Sequence, residues 1–149
     1  MANILVVDDD YLVRNILREV LTLDRHNVME ASDGMEALDA IDPNSPPDLI
    51  FMDHQMPRLS GIDCARQLKA LYPSLKIILI SGSLNIDEDG HLAANKHLFL
   101  DIILKPFRIK DVVNTLEYAL GRKTQEKMTF LSNSVQPRRR SQLDNYAKD

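Results

Sequence analysis

The chain has 149 residues, 44% of them hydrophobic and 27% charged, enough for one compact domain with its own core and without an apolar run long enough to span a bilayer as a helix. Its net charge of −4 is unevenly divided: residues 122–149 carry seven Lys/Arg against three Asp/Glu, and residues 1–121 carry eleven against nineteen, so an acidic body that disfavours nonspecific nucleic-acid binding is followed by a basic end. A single cysteine, Cys64, excludes an intramolecular disulfide framework, and the absence of a signal-peptide pattern ahead of Ile4 agrees with a cytoplasmic location.

Ile4-Leu5-Val6-Val7 is a continuous apolar run rich in β-branched residues and predicts a buried strand. Asp10 suits the N-cap of a helix whose face is Val13, Ile16, Leu17, Val20 and Leu21. Val28–Ala31 predicts a short second strand, and Ser32-Asp33-Gly34 a turn and cap. Ala37, Leu38 and Ile41 mark a short helix, broken by Pro43 and Pro46-Pro47. Leu49–Met52 is the third strand. After Pro57 and Gly61, the residues Ile62, Ala65, Leu68 and Leu71 recur at helical spacing. Leu75–Ile80 is the fourth strand. Asn85–His97 has little apolar periodicity and contains Asp87-Glu88-Asp89-Gly90, so it is expected to be a short, poorly packed helix. Phe99–Leu104 is the fifth strand. Val112, Val113, Leu116, Ala119 and Leu120 mark the last helix, and Gly121 is placed to cap it.

These elements make residues 1–121 one domain. Residues 122–149 shift to Ser, Asn, Gln and basic residues around Arg138-Arg139-Arg140, the composition of a flexible solubilising tail. The rival reading is a docking segment for an acidic partner or for the acidic domain itself. The stretch is too short for the usual DNA-binding effector domain and contains no helix-turn-helix pattern.

Five strands alternating with helices predict an α/β fold with a mainly parallel, doubly wound sheet and helices on both faces. In such sheets ligands bind beyond the carboxyl ends of the strands, where the strand order reverses. Asp8 and Asp53 end the first and third strands, 45 positions apart. One βαβ unit takes about 30 residues or more, and the interval fits strand, helix, strand, helix, strand. The first and third strands are then neighbours if the order is 2-1-3-4-5.

That order sets Asp8, Asp9 and Asp53 beside the switch point, with Ser81 and Lys105 at the ends of the fourth and fifth strands. Three carboxylates in one cleft repel and raise one another's pKa. A divalent cation relieves the repulsion, and Mg2+ suits a site of few carboxylates plus a phosphate. A carboxylate held there is a nucleophile toward phosphorus. Transfer of a phosphoryl group needs mainly positioning and neutralisation of its oxygens. The Lys105 ammonium and the Ser81 hydroxyl are groups that supply it. Each residue alone is commonplace: a run of Asp is usually a cap or a solvated cluster, and a Lys before Pro is usually surface.

With these residues in view, positions 3–121 resemble the response-regulator receiver domain, the flavodoxin-like phosphoacceptor module of two-component signalling. The resemblance is carried by Ile4-Leu5-Val6-Val7-Asp8-Asp9-Asp10, by Asp48-Leu49-Ile50-Phe51-Met52-Asp53-His54-Gln55-Met56-Pro57 with Gly61, by Ile80-Ser81-Gly82, and by Leu104-Lys105-Pro106-Phe107. It implies that Asp53 is the phosphoacceptor and that Asp8 and Asp9 hold Mg2+ beside it. It gives the backbone carbonyl of Gln55 as a further ligand, and Ser81 and Lys105 as the groups that bind the phosphoryl oxygens. It also implies a cis Lys105–Pro106 bond. The implied donor is a phosphohistidine on a sensor histidine kinase or a histidine phosphotransfer protein. The implied output is a phosphorylation-dependent protein contact by a single-domain regulator, with slow autodephosphorylation rather than enzymatic turnover. A homodimer is left open. Two positions depart from the pattern: Ile102 stands where the family often has a Tyr or Phe rotamer switch, and Gly82 replaces a more frequent Ala.

Other reactive residues have simpler readings. His54 follows the acceptor, but strand alternation turns it to the opposite side. His26, His91 and His97 show no metal-ligand spacing and read as structural or surface residues. Arg58 reads as a solvated loop charge. Cys64 reads as a small apolar residue on a helix face. Two rival functions stay open. One is an aspartyl-phosphate phosphohydrolase with its nucleophile at Asp8, which Leu12 and the lack of a cap domain disfavour. The other is a binding module that keeps the fold without using phosphate.

Overall fold

The apolar runs become five strands: β1 (Asn3–Val7), β2 (Asn27–Ala31), β3 (Leu49–Asp53), β4 (Lys76–Ser81) and β5 (Asp101–Leu104). Between and after them lie α1 (Tyr11–Leu23), α2 (Gly34–Ala40), α3 (Gly61–Leu71), α4 (His91–Asn95), a 3-10 turn (Lys96–Leu98) and α5 (Ile109–Ala119). The structure, a computed structural model, describes residues 1–82 and 91–122. The tail from residue 123 and the first part of the helix expected over Asn85–His97 therefore lie outside the described residues. Contacts divide the chain into two compact units, Met1–Val112 and Val113–Asp149. All the candidate site residues belong to the first.

The sheet is wholly parallel, in the expected order β2-β1-β3-β4-β5 that makes the first and third strands neighbours. Strand alternation divides the core between its two faces. Leu5, Val7, Ile50, Met52, Ile77 and Leu79 are buried in one cluster with Ala37 of α2 and Ile62, Cys64, Ala65 and Leu68 of α3. Ile4, Val6, Leu49, Phe51, Ile78 and Ile80 alternate with these and are also buried. α1 packs on β1 and β2 and buries Leu17 and Leu21. Burying each such side chain stabilises the fold by about 1.5–3 kcal/mol.

The caps at Asp10, Asp33 and Gly121 fall where the sequence places them, and Ser60 is a further cap that the sequence reading does not single out. Asp10 caps α1 by accepting from Leu12 N–H at 2.9 Å, Asp33 caps α2 by accepting from Glu36 N–H at 2.8 Å, and Ser60 caps α3 by accepting from Asp63 N–H at 3.2 Å. Such caps typically stabilise by about 1 kcal/mol each. Gly121 lies past the end of α5 with φ +73°, and its N–H donates to Tyr118 O at 3.0 Å, a left-handed cap that glycine adopts without strain.

Each strand differs from its expected bounds by a residue or two: β1 and β2 begin one residue earlier, at Asn3 and Asn27, and β3 and β4 run one residue further, to Asp53 and Ser81. β4 begins at Lys76 rather than Leu75, and β5 begins at Asp101 rather than Phe99. Leu75 N–H closes a turn onto Tyr72 O, and Phe99 N–H closes another onto Lys96 O. Apolar character carries these residues into the buried interior, whereas turn hydrogen bonds keep them off the sheet.

Candidate functional site

The ends of β1 and β3 lie side by side, because Val7 pairs with Met52. Asp8 and Asp53 are the next residues on each strand side, and Asp9 follows Asp8. Oxygens of Asp8, Asp9 and Asp53 all lie within 4.8 Å of one another. Asp8 is 1% exposed and Asp53 5%, while Asp9 is exposed. From the end of β5, Lys105 reaches between the two buried carboxylates, with Nζ 3.0 Å from Asp8 Oδ2 and 3.0 Å from Asp53 Oδ1.

Burial pushes the Asp53 carboxyl up to about 6, and the neighbouring Asp8 charge adds to the rise; the Lys105 hydrogen bond opposes it. Burial also raises Asp8, against the pull of the Asp10 N–H (2.8 Å from Asp8 Oδ1) and of Lys105. Burial alone would lower Lys105, but its hydrogen bonds to Asp53 and Asp8 outweigh it and hold the ammonium protonated. One cation thus faces two buried carboxylates and a third, exposed one. The residual negative charge and the set of hard oxygen donors fit a small divalent cation of the Mg2+ type.

Backbone bonds fix this arrangement. Asp8 N–H donates to Ala31 O at 3.1 Å, and Arg14 Nη1 donates to Asp8 O at 2.7 Å. His54 N–H donates to Ile80 O at 2.9 Å, and His54 O accepts from Gly61 N–H at 2.8 Å. Gly61 has to be glycine, since a Cβ there would stand 2.1 Å from Asp53 O. Ser81 ends β4 wholly buried, and its carbonyl accepts from Lys105 N–H at 2.7 Å. The Lys105–Pro106 bond is cis, as the resemblance implies. Gln55 is exposed in the loop two residues past Asp53. Ile102 is half-buried and packs against the core cluster.

One expectation fails. Arg58 is not simply a solvated charge: its guanidinium makes a two-point contact with Asp33, Nε to Oδ2 at 2.9 Å and Nη2 to Oδ1 at 2.8 Å. Nothing local in the sequence announces this pair. Arg14 on the Asp8 carbonyl is a second residue that the sequence reading does not single out, although its place in the first turn of α1 is visible there. His26 is structural, as expected: Nδ1 accepts from Ala2 N–H at 3.0 Å, and Nε2 lies 2.8 Å from Asp24 Oδ2. Cys64 is buried, with its thiol pushed up to about 12 by that burial.

Comparison with known proteins agrees with this geometry. The response regulator receiver domain family matches residues 4–117. The response regulator MprA of Mycobacterium sp. (strain KMS) is 34% identical over 142 residues, covering 91% of this chain and 60% of MprA. Among solved structures, the chain is similar to the receiver domain of NtrX from Brucella abortus, with TM-score 0.71 and 31% identity over 80% of this chain and 99% of that one. It is also similar to the response regulator TrrA from Thermotoga maritima in complex with Mg2+ and BeF, with TM-score 0.70 and 26% identity over 80% of this chain and 99% of that one. The chain belongs to the response regulator receiver domain family, a phosphoacceptor family of two-component signalling. It spans about 60% of the length of the MprA relatives. Among the described residues, no helix is long and apolar enough to cross a membrane.

Proposed function

We propose that Asp53 accepts a phosphoryl group from the phosphohistidine of a sensor histidine kinase or histidine phosphotransfer protein, in a Mg2+-dependent reaction. The observation that carries this reading is the Asp53 carboxylate, nearly buried beside Asp8 and Asp9 and 3.0 Å from the Lys105 ammonium. An oxygen of Asp53 attacks phosphorus while the phosphorus–nitrogen bond to the donor imidazole breaks and the imidazole takes the electron pair. With its pKa raised to about 6, the Asp53 carboxyl is largely ionised at neutral pH and so remains a nucleophile. Lys105 offers its ammonium to the transferred oxygens, and the Ser81 hydroxyl is assigned a hydrogen bond to one of them.

Asp8, Asp9, Asp53 and the Gln55 backbone carbonyl are the proposed Mg2+ ligands. The bound cation supplies positive charge where the phosphoryl oxygens concentrate negative charge. The similar TrrA was solved in complex with Mg2+ and BeF, which supports a Mg2+ site in this chain. Asp8 itself is engaged by Asp10 N–H and Lys105, which suits a metal ligand and charge partner better than the nucleophile of a phosphohydrolase. The output proposed for the receiver, residues 1–121, is a protein contact that changes with phosphorylation, made in the cytoplasm. The group is removed slowly by the domain's own residues.

The test is incubation with Mg2+ and acetyl phosphate followed by intact mass measurement. One added phosphoryl group, absent in Asp53→Asn and absent without Mg2+, is expected. No adduct at any Mg2+ concentration refutes the proposal.

A further inference from the structure

The Asp33–Arg58 contact has no part in the phosphoryl chemistry above, yet several features hold it in place. Arg58 lies in the loop between Asp53 and Gly61, and Asp33 in the turn between β2 and α2, 25 positions away. A guanidinium fork on a carboxylate is both strong and directional. Asp33 Oδ1 also accepts from Glu36 N–H, so the carboxylate is held by its own helix before Arg58 reaches it. Arg58 itself is in the left-handed region, with φ +68°, a conformation that non-glycine residues seldom adopt.

The next pair along also touches. A Cβ on Gly34 would come 3.0 Å from both Cβ and the carbonyl oxygen of Leu59. Turn and loop are therefore joined at two successive pairs, Asp33–Arg58 and Gly34–Leu59. Where that turn leaves β2, the last residue of the strand holds the site directly, through Asp8 N–H on Ala31 O. The connections close on themselves: Asp8 to Ala31, along the turn to Asp33, across to Arg58, back along the loop to Asp53, and through Lys105 to Asp8.

We propose that the Asp33–Arg58 pair is a positioning device for the phosphoacceptor site, fixing the Asp53–Gly61 loop, with the Gln55 backbone in it, against the turn that follows Ala31, the anchor of Asp8. It rests on the reading of Asp8, Asp9, Asp53 and Gln55 as Mg2+ ligands. Neither residue of the pair touches metal or phosphate; both act through the loop. The Arg58 side chain is 60% exposed, so the pair contributes little to global stability. Its effect belongs in ligand affinity.

Arg58→Gly separates side chain from backbone, because glycine accepts the positive φ. Asp33→Asn keeps an oxygen for the α2 cap and removes the charge. The full chain and these variants are titrated with Mg2+ alone by NMR amide shifts, and melted in EDTA. Each single variant is expected to weaken Mg2+ binding by about 3- to 10-fold, below or at the low end of the range for groups supporting metal ligands, with a metal-free Tm shift of at most about 2 °C. The double variant should be no weaker than either single one, since both remove the same contact. Arg58→Lys, which loses the fork, should restore only part of the affinity. High salt should narrow the gap between the wild type and Arg58→Gly. Equal affinity in the wild type and Arg58→Gly overturns the device alone, as does an affinity loss that tracks a fall in metal-free Tm. A wild type that takes no Mg2+ overturns the device together with the function it serves.

Discussion

Asp53→Asn should make the metal-free protein more stable at neutral pH, although it destroys the proposed acceptor. In the folded chain the Asp53 carboxyl is raised to about 6, chiefly by burial and then by Asp8; unfolded, it returns to an ordinary value near 4. The folded state therefore holds its proton more tightly. Below about pH 4 both states are protonated and Asp53 costs nothing. Between about pH 4 and 6 the unfolded chain ionises first, and stability falls as pH rises. Above about 6 both are ionised and the loss is complete. A shift of about two pKa units corresponds to at most about 3 kcal/mol, and solvent screening at the mouth of the cleft reduces this to about 1–2 kcal/mol. The amide of the variant carries no charge to desolvate, and Lys105 keeps its contact with Asp8. Urea denaturation in EDTA at a series of pH values should show the variant ahead of the wild type by about 1–2 kcal/mol at pH 7.5 and level with it near pH 4. Added Mg2+ should narrow the gap, since it stabilises the wild-type site by mass action. A variant less stable than wild type at pH 7.5, or a gap that does not change with pH, would refute the reasoning.

Two further perturbations test the framework around the site. Gly61→Ala forces a methyl group into Asp53 O, 2.1 Å away; a loss of about 2–3 kcal/mol in urea denaturation is expected, together with slower phosphorylation by acetyl phosphate, and a neutral substitution would contradict the packing. Cys64 is buried with its thiol raised to about 12, so a maleimide reagent should label it only after denaturation; rapid labelling of the native protein would show that the α3 face is open.

The residues at the strand ends are legible in the sequence because the fold turns a local pattern into a location. A buried parallel strand reads as an unbroken apolar run, so Asp8, Asp53, Ser81 and Lys105 each stand out as the first polar residue after one. The interval between Asp8 and Asp53 leaves room for one intervening strand, and bringing the two acids together requires that strand to lie outside β1. Arg58 is illegible for the opposite reason. Its partner is 25 positions away, in a turn brought near only by the 2-1-3 order, and a charged loop residue looks the same in sequence whether or not a carboxylate waits for it. The starts of β4 and β5 differ from the sequence pattern because Leu75 and Phe99 are buried without belonging to the sheet. Hydrophobicity reports burial, and hydrogen bonding decides the strand.

The pairing of Val7 with Met52 has a consequence for how this site tolerates change. Adjacent strands run about 4.7–4.9 Å apart whatever side chains they carry, so the main chains that carry Asp8 and Asp53 keep a fixed separation, and from it their carboxylates bring oxygens within 4.8 Å of each other and of Asp9. The separation of the two main chains at the site is thus set by the sheet. Helices can lengthen and loops can drift while the two principal acids stay one backbone spacing apart. Partner-facing surfaces are then free to diversify around a ruler that mutation of side chains does not recalibrate.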